Sequence, residues 1–121
     1  MDKIKCVAID DDPLFLEIIK FFSKKLDYID LMATFENPID GAIGVVKLKP
    51  DLLFIDIEMP YLDGFEVVST LNVKPKIIVI SSHAEYDLSG LNFEVAKYVT
   101  KPLSGVEQFD SIVKEVMSVY S

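Results

Sequence analysis

Three aspartates in a row, Asp10-Asp11-Asp12, follow directly on the apolar run Ile4 to Ile9, and a further one, Asp56, closes the more continuous run Leu52 to Ile55. Ser81 and Lys101 stand at the ends of two other apolar runs, Ile77 to Ile80 and Tyr98 to Thr100. If these runs are strands of one parallel sheet, all four ends fall on its carboxyl edge, where open α/β sheets gather functional groups. Carboxylates brought that close repel one another unless a cation sits among them. Hard oxygen ligands of this kind suit Mg2+, which keeps several waters and near-octahedral geometry. A carboxylate beside such a metal can attack phosphorus as a nucleophile, while the metal, a lysine ammonium and a hydroxyl neutralise and orient the phosphoryl oxygens. The constellation fits phosphorylation of an aspartate.

Each residue also has a plainer reading. Asp12 before Pro13 is a helix N-cap with proline at the first helical position. Ser81 alone is a strand-end hydroxyl and Lys101 alone a surface lysine. His83, the only histidine, invites a role as base or phosphate carrier, but it lies in a polar stretch past the fourth run, where exposure to solvent is the default. What favours chemistry is Asp56: a second acid at a separate strand end turns Asp10 and Asp11 from leftovers of a cap into half of a metal site.

The elements that must position these groups alternate. Ile4 to Ile9 is apolar except for Lys5, as a strand buried on both faces should nearly be. Phe15, Ile18, Ile19, Phe22 and Leu26 then recur at helical spacing behind the Asp12-Pro13 start. Leu31 to Phe35 reads as a second strand, and Asn37-Pro38 repeats the cap-then-proline start before Ile39, Ala42, Ile43, Val45 and Val46, in a helix that Gly41 and Gly44 weaken. After the third strand come the turn-rich Met59 to Gly64 and a helix over roughly Phe65 to Leu71. The β-branched run Ile77 to Ile80 is the fourth strand, Glu85 to Leu91 allows a short helix, and Tyr98 to Thr100 is the fifth strand. Ser104 with Glu107 offers a capping box for a last amphipathic helix carrying Phe109, Ile112, Val113, Val116, Met117 and Tyr120. Five strands alternating with helices define an α/β domain, expected to be a single one across residues 1–121.

Composition closes off other classes. The 121 residues are 50% hydrophobic and 26% charged, too apolar for a disordered chain, and the net charge of −8 opposes direct binding to nucleic acid. No stretch approaches the ~18 apolar residues of a membrane span. The single cysteine, Cys6, can form no internal disulfide and sits in a buried-strand pattern, which points to a reducing, cytoplasmic setting.

Three motifs, Ile9-Asp10-Asp11-Asp12-Pro13, Ile55-Asp56-Ile57-Glu58-Met59-Pro60 with Asp63-Gly64, and Tyr98-Val99-Thr100-Lys101-Pro102, together resemble those of response-regulator receiver domains, in the same order and over essentially the whole chain. The stretch Ser82-His83-Ala84-Glu85-Tyr86 with Phe93-Glu94-Val95 is further similar to receivers that precede LytTR-type DNA-binding domains. The resemblance implies a doubly wound five-stranded parallel sheet of flavodoxin-like order. It implies Asp56 as acceptor of a phosphoryl group from a phosphohistidine on a sensor histidine kinase or a histidine phosphotransfer protein. Asp11 and Asp56 would then hold Mg2+ directly, Asp10 through water and Glu58 through its backbone carbonyl. Ser81 matches the switch hydroxyl, Lys101 the lysine that meets a phosphoryl oxygen, and Tyr98 the aromatic ring that turns inward when Ser81 moves. A cis Lys101–Pro102 bond is implied as well. The product is a regulatory phosphoacceptor that catalyses its own phosphorylation and dephosphorylation, with no other substrate turned over.

Leu14 and Phe21, seven apart at one edge of the first helix, would join the loop after Pro102 in a docking surface for the kinase or phosphotransfer protein. Homodimerisation would use the fourth helix, fifth strand and fifth helix. Glu58 and His83, each two positions past a site residue, would tune phosphate lifetime. Where the family often carries a small pair before the fifth strand, this chain has Glu94-Val95, which bears on switching geometry. The main competing reading is a receiver-like interaction module that is never phosphorylated. A haloacid-dehalogenase phosphatase is opposed by Glu58, which stands where that class has a second Asp, by an acceptor on the third strand instead of the first, and by the lack of room for a cap. A flavin or nucleotide carrier is opposed by aspartates where a glycine-rich phosphate loop should be.

Overall fold

The structure, a computed structural model, describes residues 3–57, 75–82 and 95–117. Five parallel strands, β1 (Ile4–Ile9), β2 (Ile29–Phe35), β3 (Leu52–Ile55), β4 (Lys76–Ser81) and β5 (Lys97–Thr100), lie in the order β2-β1-β3-β4-β5. The described helices are α1 (Pro13–Lys25), α2 (Pro38–Leu48) and, at the C-terminal end, α3 (Val106–Met117). This is the doubly wound, flavodoxin-like arrangement, with its reversal of strand order between β1 and β3.

Alternation along the central strands builds two cores. Ile4, Cys6 and Ala8 of β1 point toward α1 and α3, where they meet Leu16, Ile19 and Phe109. Val7 and Ile9 point the other way, with Leu53, Ile55 and Val79, onto Val45 of α2. Each such aliphatic side chain taken from water contributes roughly 1.5–3 kcal/mol, so the sheet is held by packing on both faces. Cys6 is wholly buried, and burial, reinforced by the charges of Asp51 and Asp30, pushes its thiol up to about 12. It is a core residue.

Both proline-led helix starts form as expected. Asp12 accepts from the Leu14 amide at 3.1 Å, and Asn37 accepts from the amides of Ile39 and Asp40 at 2.8 and 3.2 Å. The start of α3 differs from the expected Ser104–Glu107 box. The helix begins at Val106, and it is Gln108 whose Oε1 reaches back to the Ser104 amide at 2.6 Å. β2 begins two residues earlier than the pattern indicates, because Ile29 and Asp30 pair with Ile4 and Lys5. β4 and β5 likewise gain Lys76 with Ser81 and Lys97.

The larger difference is in α2. Its apolar repeat Ile39, Ile43 and Val46 faces solvent, while Pro38, Gly41, Gly44 and Val45 face the sheet. The glycines are the reason. A Cβ on Gly41 would stand 2.6 Å from Ile9 Cδ1, and one on Gly44 would stand 2.3 Å from Phe35 Cζ. The bare backbone lets the helix settle onto β1 and β2 at a distance that larger side chains would prevent, so residues that weaken an isolated helix are the ones that dock this one. The helices expected over 65–71 and 85–91, and Tyr120, lie outside the described residues.

Candidate functional site

Parallel pairing puts the acids side by side. Ile9 of β1 is in register with Ile55 of β3, so the next residue of each strand, Asp10 and Asp56, leaves the sheet at the same level. The Asp56 amide donates to the Ile9 carbonyl at 3.1 Å, and the Asp10 amide to the Phe35 carbonyl at 3.0 Å, which fixes both backbones. Asp10 and Asp56 are only 3% and 7% exposed, while Asp11 faces solvent. Carboxylate oxygens of Asp10, Asp11 and Asp56 lie within 4.8 Å of one another.

Lys101 completes the group. Its amide donates to the Ser81 carbonyl at 2.7 Å, continuing the β4–β5 ladder past Thr100. Its Nζ stands 2.9 Å from Asp10 Oδ2 and 3.2 Å from Asp56 Oδ2. The same ammonium sits over the Phe15 ring, 4.5 Å from its centroid. The Lys101–Pro102 peptide is cis, as the resemblance implies. Ser81 ends β4 with no solvent exposure. Tyr98 is half-buried on β5, opposite Val79, and packs on the α2 side of the sheet together with Val95.

Electrostatics follow from this burial. Removal from water raises the Asp10 carboxyl to about 6, against the Lys101 ammonium and the Asp12 amide, which donates to Asp10 Oδ1 at 2.9 Å; the neighbouring Asp56 charge adds to the rise. Burial works against the charge on Lys101 too. The two carboxylates outweigh it and hold the ammonium above its ordinary value. Three carboxylates within ligand distance, one of them open to solvent, form a donor set of hard oxygens that fits a divalent cation retaining waters.

The structure thus brings together Asp10, Asp11, Asp56 and Lys101, and sets Ser81 at the adjoining strand end. Tyr98 lies on β5, three strands from β1, on the α2 face. Leu14 and Phe21 are 69% and 56% exposed on α1, and Pro102 is exposed. Glu58, His83 and Glu94 lie outside the described residues. Two contributors carry no signal in the sequence. Phe15 reads there as one more position of an apolar stripe, yet it is the ring beneath the Lys101 ammonium. Gly41 reads as a weak point of a helix, yet it seats the side chain next to Asp10.

Comparisons with known proteins agree with this geometry. The family model described as the response regulator receiver domain matches residues 6–114. The chain is 32% identical over 102 residues to the transcriptional regulatory protein BtsR of Escherichia coli (strain K12), covering 83% of this chain and 43% of that protein. It therefore spans less than half the length of the curated relatives it matches. Among solved structures, the signal receiver domain of the putative response regulator NarL from Mycobacterium tuberculosis superposes with a TM-score of 0.79 at 18% identity, covering 97% of this chain and 98% of that one. A CheY-like response regulator receiver domain protein from Methanospirillum hungatei JF-1 gives 0.78 at 20% identity, with 98% and 96% covered.

Proposed function

This chain belongs to the response regulator receiver family of two-component signalling, and from that premise we propose that Asp56 is its phosphoacceptor, served by Asp10, Asp11, Lys101 and Ser81. The observation that carries the reading is the cluster itself: three carboxylates with oxygens within 4.8 Å, and an ammonium bonded to two of them. One Asp56 oxygen attacks the phosphorus of a phosphohistidine; the new O–P bond forms as the N–P bond breaks, and the electron pair leaves with the imidazole. Asp11 and Asp56 would hold Mg2+, with Asp10 contributing through water and the Glu58 backbone carbonyl as a further donor. When bound, the ion neutralises charge on the transferring phosphoryl group.

Lys101 is already placed for the product. Its ammonium lies 3.2 Å from the Asp56 oxygen, so a small swing carries it to a phosphoryl oxygen while Phe15 supports it from below. Ser81 Oγ is the donor for another phosphoryl oxygen, and its movement frees room into which the Tyr98 ring turns. Val95 occupies part of the same core and sets how far that ring can travel.

The domain spans residues 1–121, works in the cytoplasm and is charged by a sensor histidine kinase or a histidine phosphotransfer protein that docks on Leu14, Phe21 and Pro102. Glu58 and His83 tune the lifetime of the phosphate. Phosphorylated chains pair through β5, α3 and the segment between β4 and β5, and a LytTR-type output domain fits the subgroup. No described helix is long and apolar enough to cross a membrane.

The test is intact mass after incubation with acetyl phosphate. One phosphoryl group is gained with Mg2+, and none with EDTA or in Asp56→Asn. A gain that survives Asp56→Asn overturns the assignment, and no gain under any condition returns the reading to a silent interaction module.

A further inference from the structure

Of the six large hydrophobic side chains that stand exposed among the described residues, four are on α2. Ile39, Ile43 and Val46 are 57%, 49% and 46% exposed, and at spacings of four and three they form one continuous stripe. The opposite side of the same helix, Gly41, Gly44 and Val45, is buried against the sheet. A helix that is apolar on both sides is ordinarily enclosed on both sides.

We propose that the stripe is a self-recognition surface, on which α2 packs antiparallel against α2 of a second copy of this chain about a two-fold axis passing beside Ile43. The charges select both the partner and the direction. Asp40 and Lys47 are seven residues apart, so both fall on the same flank of the stripe, one near each end of the helix. A two-fold antiparallel pair then sets Asp40 of each chain beside Lys47 of the other, twice over, with Ile39 against Val46 and Ile43 against itself. A parallel pair would turn this flank of each helix toward the opposite flank of its partner, so Asp40 of one chain would not meet Lys47 of the other. Ala42 borders the stripe and keeps that margin low, so the two backbones can approach. α2 also packs on the opposite side of the sheet from α1 and α3, so this pairing leaves Leu14 and Phe21 open. Three aliphatic side chains per chain fall well short of the ~800 Å² per partner of a stable interface, so association is weak, in roughly the 0.1–1 mM range.

Sedimentation of the unphosphorylated chain over about 0.02–2 mM tests this, with concentrations chosen to bracket that range. The expected result is a concentration-dependent rise from monomer toward dimer that Ile43→Asp abolishes without changing the melting curve, since Ile43 is 49% exposed. Asp40→Lys and Lys47→Asp each weaken pairing about fivefold, and the double exchange restores it, as complementary rim charges require. Ile43→Cys closes a disulfide to itself under mild oxidation, while Ile39→Cys closes one only with Val46→Cys; the native Cys6 is wholly buried and does not interfere. A monomer throughout the range, a dimer that survives Ile43→Asp, or a double exchange that fails to restore pairing each overturns the proposal. A dimer dependent on β5 and α3 alone does the same.

Discussion

Replacing Gly41 by alanine sets two effects of opposite sign against each other. Inside an open helix the change would stabilise by about 1 kcal/mol, since alanine loses less backbone freedom. Here the added Cβ meets Ile9 Cδ1 at 2.6 Å and Cγ1 at 2.8 Å. Carbon contacts prefer about 3.5–4.0 Å, so about 1 Å must be found. Ile9 cannot easily provide it, being 1% exposed and on a strand paired on both sides, to Phe35 and to Ile55. Overpacking a site of this kind costs about 1–3 kcal/mol, so Gly41→Ala should destabilise by about 1 kcal/mol net and lower Tm by roughly 3–6 °C. Gly44→Ala has the shorter contact, 2.3 Å, but against the tip of a half-buried Phe35 ring that can swing outward. It should cost less in spite of the distance. Ile9→Val removes the nearest atom, so in a double-mutant cycle by urea denaturation it should recover about 1 kcal/mol of the Gly41→Ala loss. Gly41→Ala that stabilises the fold, or a cycle with no coupling, would refute the close-packing account of α2.

Other consequences concern the acidic cluster. The Asp10 carboxyl is raised to about 6, so protonation favours the folded state, and without Mg2+ stability should fall as pH rises from about 4 through 6. Asp10→Asn removes that liability and should stabilise by about 1–2 kcal/mol at pH 7 in EDTA, with the gain fading toward pH 4; melts showing the same difference at both pH values would contradict the burial argument. Lys101→Met strips two buried carboxylates of their ammonium and should cost about 1–2 kcal/mol at pH 7.5, below the usual cost of a severed buried pair because Asp10 can take up a proton. It should also slow phosphoryl gain from acetyl phosphate; unchanged kinetics would remove Lys101 from the reaction. Phe21→Ala, at an exposed site, should weaken transfer from a phosphorylated donor protein without lowering Tm, and equal loss of both would show that the ring is structural. Substitution of Glu58 or His83 should change the rate of phosphate loss measured by mass over time, and rates identical to wild type would retire both as tuning residues.

The site was legible in the sequence because its residues sit where apolar runs stop. Asp10, Asp56, Ser81 and Lys101 each mark an abrupt change from buried strand to polar edge, and parallel pairing converts that shared position in sequence into proximity in space. The N-caps at Asp12 and Asn37 were legible for a local reason, a short polar side chain followed by proline. The orientation of α2 was not. Its apolar residues satisfy helical spacing on two faces, and only the contact of Gly41 with Ile9 and of Gly44 with Phe35, between residues distant along the chain, decides which face turns inward. Phe15 was hidden in the same way, since no local pattern distinguishes a ring that only fills the core from one that also carries an ammonium. The α3 cap passed from Glu107 to Gln108 because the helix starts at Val106, and a shift of one residue changes which side chain can reach back.

The most direct measurement locates the phosphoryl group on the chain. Borohydride reduces an aspartyl phosphate to homoserine, so the chain is phosphorylated with acetyl phosphate and Mg2+, reduced, digested and mapped by mass. Homoserine at position 56 alone is the predicted result. Homoserine at 10 or 11, an acid-stable phosphate on a hydroxyl, or an acid-labile phosphate on His83 that borohydride does not reduce would contradict the assignment of Asp56 as the acceptor.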